Sequence, residues 1–130
     1  MFTATRLSII DTNNIRFHYV LTNLGNDYNS STGVFTCPVA GQYWFSASIT
    51  KSYIAQFGQT TCYIMINGIH KMAMQHYEVN PVHAHFSMTA SGGFHLNLGV
   101  RVYVGGCENP DALELSYESY FSGVLIKPDV

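Results

Sequence analysis

The chain is expected to fold as an all-β sandwich or barrel, and three observations predict it. Apolar residues recur with the period of two that marks a half-buried strand. Turn signals cut the sequence at regular intervals into roughly ten short segments, the pattern of a sandwich or barrel. No segment beyond a turn or so carries helical periodicity.

Phe2 to Ile10 alternates loosely and reads as a first strand, closed by the turn cluster Asp11-Thr12-Asn13-Asn14. Ile15 to Leu21 is a second extended piece. Gly25 to Gly33, rich in Asn, Ser, Asp and Gly, is expected as a surface loop around Tyr28. It contains Asn29-Ser30-Ser31, an N-glycosylation triplet that matters only in a chain secreted by a eukaryote. The central stretch runs from Phe35 to Lys51. Pro38 has no amide donor and fits a strand start or turn, and Gly41 lets the backbone turn before the aromatic run. Tyr43, Phe45, Ala47 and Ile49 then alternate with Trp44, Ser46, Ser48 and Thr50, so one face should be buried.

Ser52 to Thr61 is a polar connection. Cys62 to Ile66 is apolar on both faces and ends in the hairpin signal Asn67-Gly68. Lys71 to Tyr77 alternates, and Glu78-Val79-Asn80-Pro81 is a turn. His83 to Asn97 is a long strand, expected to bend at Gly92-Gly93. Val100 to Cys107 follows the turn at Leu98-Gly99. Beyond the polar loop Glu108-Asn109-Pro110-Asp111 come a short strand, Leu113 to Leu115, and a last one, Tyr120 to Lys127, stopped by Pro128. On that last strand Phe121 and Leu125 share one face, and Tyr120, Val124 and Ile126 the other. A strand apolar on both faces has to be covered twice.

At 130 residues the chain is one domain, 1–130, large enough for a real core. Only 11% of residues are charged and 14% are aromatic, a balance suited to a protein that hides surface in an oligomer. A net charge of −2 argues against nucleic acid as a partner. No apolar run reaches the length of a membrane span, and no signal peptide is visible. Three cysteines cannot all pair within one chain.

The spacing of the aromatics carries a resemblance. Phe17 is followed after five residues by Asn23, after four more by Tyr28, and after six more by Phe35. Five residues later come Gly41, Tyr43 and Phe45. This resembles the signature of the globular head domain of complement C1q, with Ala47 in place of its final aromatic. Val20-Leu21-Thr22-Asn23-Leu24-Gly25-Asn26, Phe2 to Arg6, Leu96 to Val104 and Phe121 to Ile126 are similar to the family as well, so the resemblance covers nearly the whole chain. It implies a ten-stranded jelly roll, shared with tumour necrosis factor, that assembles as a homotrimer. Phe17, Tyr43, Phe45, Tyr103, Tyr120, Phe121 and Leu125 would then be core or trimer contacts. The collagen-like Gly-X-Y stalk of many relatives does not occur in this sequence.

The constellations that bear chemistry are weak. His83-Ala84-His85 puts two imidazoles on one strand face, but no carboxylate follows as it does in cupin metalloenzymes, so no metal site is expected. His18, His70, His76 and His95 have no partnered spacing. No Gly-x-Ser-x-Gly elbow supports a nucleophile, and an enzyme is not expected. Gly92-Gly93 and Gly105-Gly106 open no helix; bulges are their expected role. Glu78, Asn80, Glu108, Asn109 and Asp111 are oxygen donors of the kind that calcium takes, and some relatives carry calcium on their heads. No loop here has dense acidic spacing, so solvated loops are expected and no cofactor is assigned.

The resemblance implies a secreted, extracellular recognition protein like the stand-alone, lectin-like proteins of invertebrate innate immunity, which bind sugars or microbial glycans. A trimeric hormone-like or organiser-like ligand for a protein receptor is the alternative. In the implied jelly roll, the connections after the second, fourth and sixth main strands share one end. The expected ligand residues there are Tyr53 and Gln56, Glu78 and Asn80, and Glu108, Asn109 and Asp111. The implied fold also makes the third and sixth main strands antiparallel neighbours in the inner sheet, with Cys62 and Cys107 at the same end. A Cys62–Cys107 disulfide leaving Cys37 as a free buried thiol follows; three reduced, buried thiols are the other reading.

Overall fold

The computed structural model describes residues 1–11, 14–51, 59–77, 86–108 and 119–130. Those residues form ten antiparallel strands: β1 (Phe2–Asp11), β2 (Asn14–Asn23), β3 (Tyr28–Asn29), β4 (Val34–Thr36), β5 (Gly41–Lys51), β6 (Gln59–Ile66), β7 (Ile69–Tyr77), β8 (Phe86–Leu96), β9 (Arg101–Glu108) and β10 (Tyr120–Pro128). No helix occurs among them. Leu113 to Leu115 and His83-Ala84-His85 lie outside the described residues.

The strands pair in two runs. The first sheet is ordered β2-β1-β10-β5-β8, and the second β3-β4-β9-β6-β7. A single residue pair, Ile15 with Val104, links β2 to β9. One ladder rung cannot hold two sheets coplanar. They face each other instead as the two layers of a jelly roll, with inward residues of both meeting in one core.

The aromatic spacing in the sequence becomes that core. Phe17, Tyr28, Phe35, Tyr43 and Phe45 are all buried, together with Phe2 and Phe121 from β1 and β10. Phe2 stacks on Tyr28 with ring centroids 4.6 Å apart and meets Phe121 edge-on at 5.0 Å. Phe35 takes Phe45 edge-on at 5.5 Å. Each such pair adds about 0.5–1.5 kcal/mol beyond its buried area. Gly123 lies inward on β10 between these rings. A Cβ there would sit 2.6 Å from both Phe2 and Phe45, so only glycine lets the two rings close over the strand.

Several expectations need adjusting. Tyr28 is not a loop residue on the surface; it is 2% exposed and opens β3. Its hydroxyl donates to the Phe17 carbonyl at 2.8 Å and accepts from the Phe17 N–H at 3.1 Å. Asn23 clamps the same residue: its amide donates to the Tyr28 carbonyl and its oxygen accepts from the Tyr28 N–H. Polar neighbours in sequence hid a buried anchor. Gly41 answers to space rather than turning: a Cβ would press on the Lys127 carbonyl and come within 2.9 Å of Pro128 Cα. Gly92 and Gly93 form no bulge, because β5 and β8 stay in register from Gly41–Leu96 to Lys51–Phe86. Gly92 makes room for the Met72 sulfur from β7, and Gly93 lies under the Trp44 ring.

Gly105-Gly106 does bulge. Thr61 pairs with Glu108 and Tyr63 with Gly105, so β9 carries one extra residue there, and Gly106 takes a left-handed φ of 63°. Cys62 and Cys107 flank this bulge with Cα atoms 4.2 Å apart and are joined by a disulfide; Cys37 is free and buried. The strands that carry the pair, β6 and β9, belong to the second sheet.

Candidate functional site

Two surfaces are candidates for recognition, and the strands position both. The first is the outward side of the first sheet. Strand alternation and register set it as rows running across the strands. One row is Tyr19, Thr5, Tyr120, Ser48 and Thr89. The next is Thr22, Thr3, Ser122, Ser46 and Ser91. Then come Val124, Trp44 and Gly93, with Ile126 beyond. Tyr19, Trp44 and Ile126 are 46%, 45% and 61% exposed. The hydroxyl row is stitched together: Thr3 and Ser122 share a hydrogen bond of 3.0 Å, and Ser122 donates to the Phe2 carbonyl.

None of the residues in these rows is charged. At the rim the Arg6 guanidinium lies over the Tyr19 ring at 4.7 Å, and His95 meets Asp129 at 2.9 Å beside the C-terminal tail. An uncharged, partly apolar face with a charged rim is what a protein interface needs, because no ionic group has to be desolvated at its centre. The next row on this side, Lys127, Gln42 and His95, brings in an exposed cation. The outward side of the second sheet carries Arg101 and Lys71 as exposed cations.

The second surface is one end of the sandwich. Lys51 pairs with Phe86, Gln59 with Tyr77, Thr61 with Glu108, and Tyr120 with both Ser48 and Thr5. The strand ends that lead into residues 52–58, 78–85 and 109–118 therefore lie at the same end in both layers. Of the seven expected ligand residues, Glu108 is described: it is exposed and closes β9. Tyr53, Gln56, Glu78, Asn80, Asn109 and Asp111 lie outside the described residues. Among the described residues, no cluster of three or more His, Cys, Asp or Glu is placed to hold a metal ion.

The residues expected as core or assembly contacts separate into three places. Phe17, Tyr43, Phe45 and Phe121 are in the core, and Leu125 packs against it. Tyr120 lies in the first row of the uncharged face. Tyr103 alternates with buried Val102 and Val104, which turns it outward on the second sheet. Sequence reading passed over Trp44, Tyr19 and the hydroxyl row as a unit. Alternation along β5 already put Trp44, Ser46 and Ser48 on one face, but only the register shows that β1, β2, β8 and β10 extend it.

Burial also acts on two tyrosines. It pushes the Tyr28 hydroxyl up to about 12 from 10.0, against the lowering effects of the Phe17 backbone and Arg16. Tyr43 is raised as well, first by burial and then by its neighbour Cys37. The Tyr43 hydroxyl and the Cys37 thiol both donate to the Val39 carbonyl, at 2.6 and 3.1 Å. Both phenols are neutral structural groups at ordinary pH.

Comparison with known proteins agrees with this architecture. Residues 1–126 match the family model of the C1q domain. One of the subunits of the human complement C1q subcomponent is 30% identical over 119 residues, which is 89% of this chain and 44% of that protein. The chain thus spans less than half the length of this curated relative. Among solved structures, the globular domain of zebrafish complement 1qA protein superposes with a TM-score of 0.76 at 18% identity, covering 98% of each chain. Murine APRIL does so with a TM-score of 0.70 at 12% identity, covering 96% of this chain and 97% of its own.

Proposed function

This chain belongs to the C1q domain family, and we propose that it is a secreted, lectin-like pattern-recognition protein that binds carbohydrate or microbial glycans as a homotrimer. The family is one of recognition domains, not enzymes. The observation that carries the assembly is the set of uncharged rows on the outward face of the first sheet, with Trp44, Val124 and Ile126 exposed beside them. Burying Trp44, Val124 and the hydroxyl row against copies of the same surface removes apolar area from water at about 25 cal/mol per Å² and leaves the charged groups at the rim.

Assembly gives function by valency. Each copy brings one sandwich end, where Glu108 closes β9; in sequence, Tyr53, Gln56, Glu78, Asn80, Asn109 and Asp111 fall between the strands that meet there. These side chains offer amides, carboxylates and a polar-tipped ring, the groups that grip sugar hydroxyls. Three weak sites on one rigid body gain affinity through effective concentration. The Cys62–Cys107 bridge supports secretion, since disulfides persist in oxidising compartments.

A glycan array probed with the assembled protein, run with and without a calcium chelator, tests the ligand class. Binding that survives chelation means that no calcium is needed. A silent array, with the trimer intact by light scattering, rejects the lectin reading in favour of a ligand for a protein receptor.

A further inference from the structure

The triplet Asn29-Ser30-Ser31 plays no part in assembly or in the ligand end. Each asparagine in the chain other than Asn29 lacks Ser or Thr two positions on. We propose that Asn29 is N-glycosylated, and that its glycan occupies the outer edge of the second sheet. This rests on the secretory reading above, because the transfer takes place only in a eukaryotic secretory compartment.

The triplet could have been buried, and it is not. Asn29 ends β3 and is exposed, as is Ser31. The backbone turns tightly there: Gly33 N–H donates to the Asn29 carbonyl at 2.8 Å. The side-chain oxygen of Asn29 accepts from the Ser31 N–H at 2.9 Å. That single bond fixes the amide with its Nδ2 turned away from the turn, and Nδ2 has no partner among the described residues. Asn23, only six residues earlier, spends both its amide atoms on Tyr28. The folded protein uses both amide atoms of one asparagine as a clamp and leaves the amide nitrogen of the other unclaimed.

The surroundings suit a sugar chain. Asn29 borders two open clefts of about 320 and 300 Å³. One is lined by Asn26 and Ser30, and the other by Thr36 and Arg101. A first sugar attached at Nδ2 meets amides, hydroxyls and a guanidinium, with Val34 beside them in the second cleft. The position also respects assembly: β3 is the edge strand of the second sheet, whereas the uncharged face belongs to the first. A glycan on Asn29 leaves Trp44, Val124 and Ile126 free to be covered.

The chemistry is a group transfer from a polyprenyl-diphosphate-linked oligosaccharide. Nδ2 of Asn29 forms a bond to the anomeric carbon. The bond from that carbon to the diphosphate oxygen breaks, and its electron pair leaves with the diphosphate. One amide proton passes to a base of the transferase. The Ser31 hydroxyl is the acceptor-recognition group, and Ser30 satisfies the rule that proline must not intervene.

The test expresses this chain behind a cleaved signal sequence in insect cells. Intact mass is read on all compartment-enclosed and exported protein, before and after an amidase that removes N-glycans. The wild type is expected to carry an oligosaccharide mass that the amidase removes, leaving aspartate at position 29. Ser31→Ala is expected to abolish the added mass, and Ser31→Thr to keep it. Ser31→Ala retains the N–H that caps Asn29, so the unmodified chain still folds. Exported protein with its disulfide intact but Asn29 bare overturns the proposal and leaves the secretory reading standing. Exported protein with three reduced thiols counts against the secretory reading instead.

Discussion

Replacing Tyr28 with phenylalanine removes one oxygen and keeps the ring. The stack on Phe2 survives, so no cavity larger than a hydroxyl opens. What is lost is the pair of bonds that tie β3 to β2: the Phe17 carbonyl loses its donor and the Phe17 N–H its acceptor, both inside the core. Stranding buried backbone groups costs about 1–3 kcal/mol, the full desolvation penalty rather than the net worth of a bond. Unfolding a chain of 130 residues changes entropy by about 0.27 kcal/mol/K at roughly 2.1 cal/mol/K per residue, so a 2 kcal/mol loss lowers Tm by about 7 °C.

A second readout separates this cause from general loosening. Burial raises the Tyr28 hydroxyl to about 12 from 10.0, so the folded state holds this proton more tightly than the unfolded chain does. The resulting stability is fully present below pH 10 and is lost as pH rises through about 12. A phenylalanine ring has no such proton to lose. The deficit of Tyr28→Phe is therefore expected to be greatest near neutral pH and to shrink between pH 10 and 12. Tyr43 is raised too and sits in both proteins, so some alkaline loss remains in each and cancels in the difference. Denaturant unfolding of both proteins at one fixed concentration, across that pH range, measures it. A neutral-pH deficit below about 0.5 kcal/mol, the scale of an ordinary surface change, or one that is unaltered in alkali, refutes the reasoning.

Three other outcomes are expected. Val124→Glu with Ile126→Lys places charges on the exposed apolar part of the first sheet's outward face; light scattering at micromolar concentration should shift from trimer to monomer, and a wild type that is itself monomeric removes the basis of the assembly. Alanine at Tyr53, Glu108 and Asp111 together should abolish glycan binding while the trimer persists; unchanged binding moves the site off this end. Alkylation of the unfolded chain without reductant should modify Cys37 alone, and reduction should cost about 4 kcal/mol for a bridge spanning 45 residues, whereas three modified cysteines mean that there is no bridge.

Strands were legible where their two faces differ in polarity. The alternation from Tyr43 to Thr50 sorts inward from outward residues without any knowledge of neighbours, because a pleated strand allows only two faces. Turn chemistry located Asn67-Gly68, and both residues take positive φ there. The misses share a cause. Tyr28, Gly41, Gly92 and Gly93 owe their roles to residues far along the chain: Phe17, Lys127, Met72 and Trp44. Local composition carries no record of such partners. The family spacing did flag Tyr28 and Gly41 as fixed positions, but not the hydrogen bond or the close approach that fixes them. The proposed ligand end is harder still: side chains that answer to a molecule outside the fold leave no internal periodicity.

The last strand shows how a scaffold can keep its fold while its outward face changes. β10 is flanked by β1 and β5, so its backbone is paired on both sides and its side chains are divided between two tasks. Phe121 and Gly123 face inward, where the rings of Phe2 and Phe45 leave no spare volume. Val124 and Ile126 face out, where nothing within the described residues covers them. Changes at inward positions are constrained by packing density and register, and their effect falls on stability. Changes at outward positions leave the core untouched and, under the assembly proposed above, act through the partner copy. Neighbours in sequence on this strand, such as Gly123 and Val124, thus belong to different free-energy balances, one of folding and one of association.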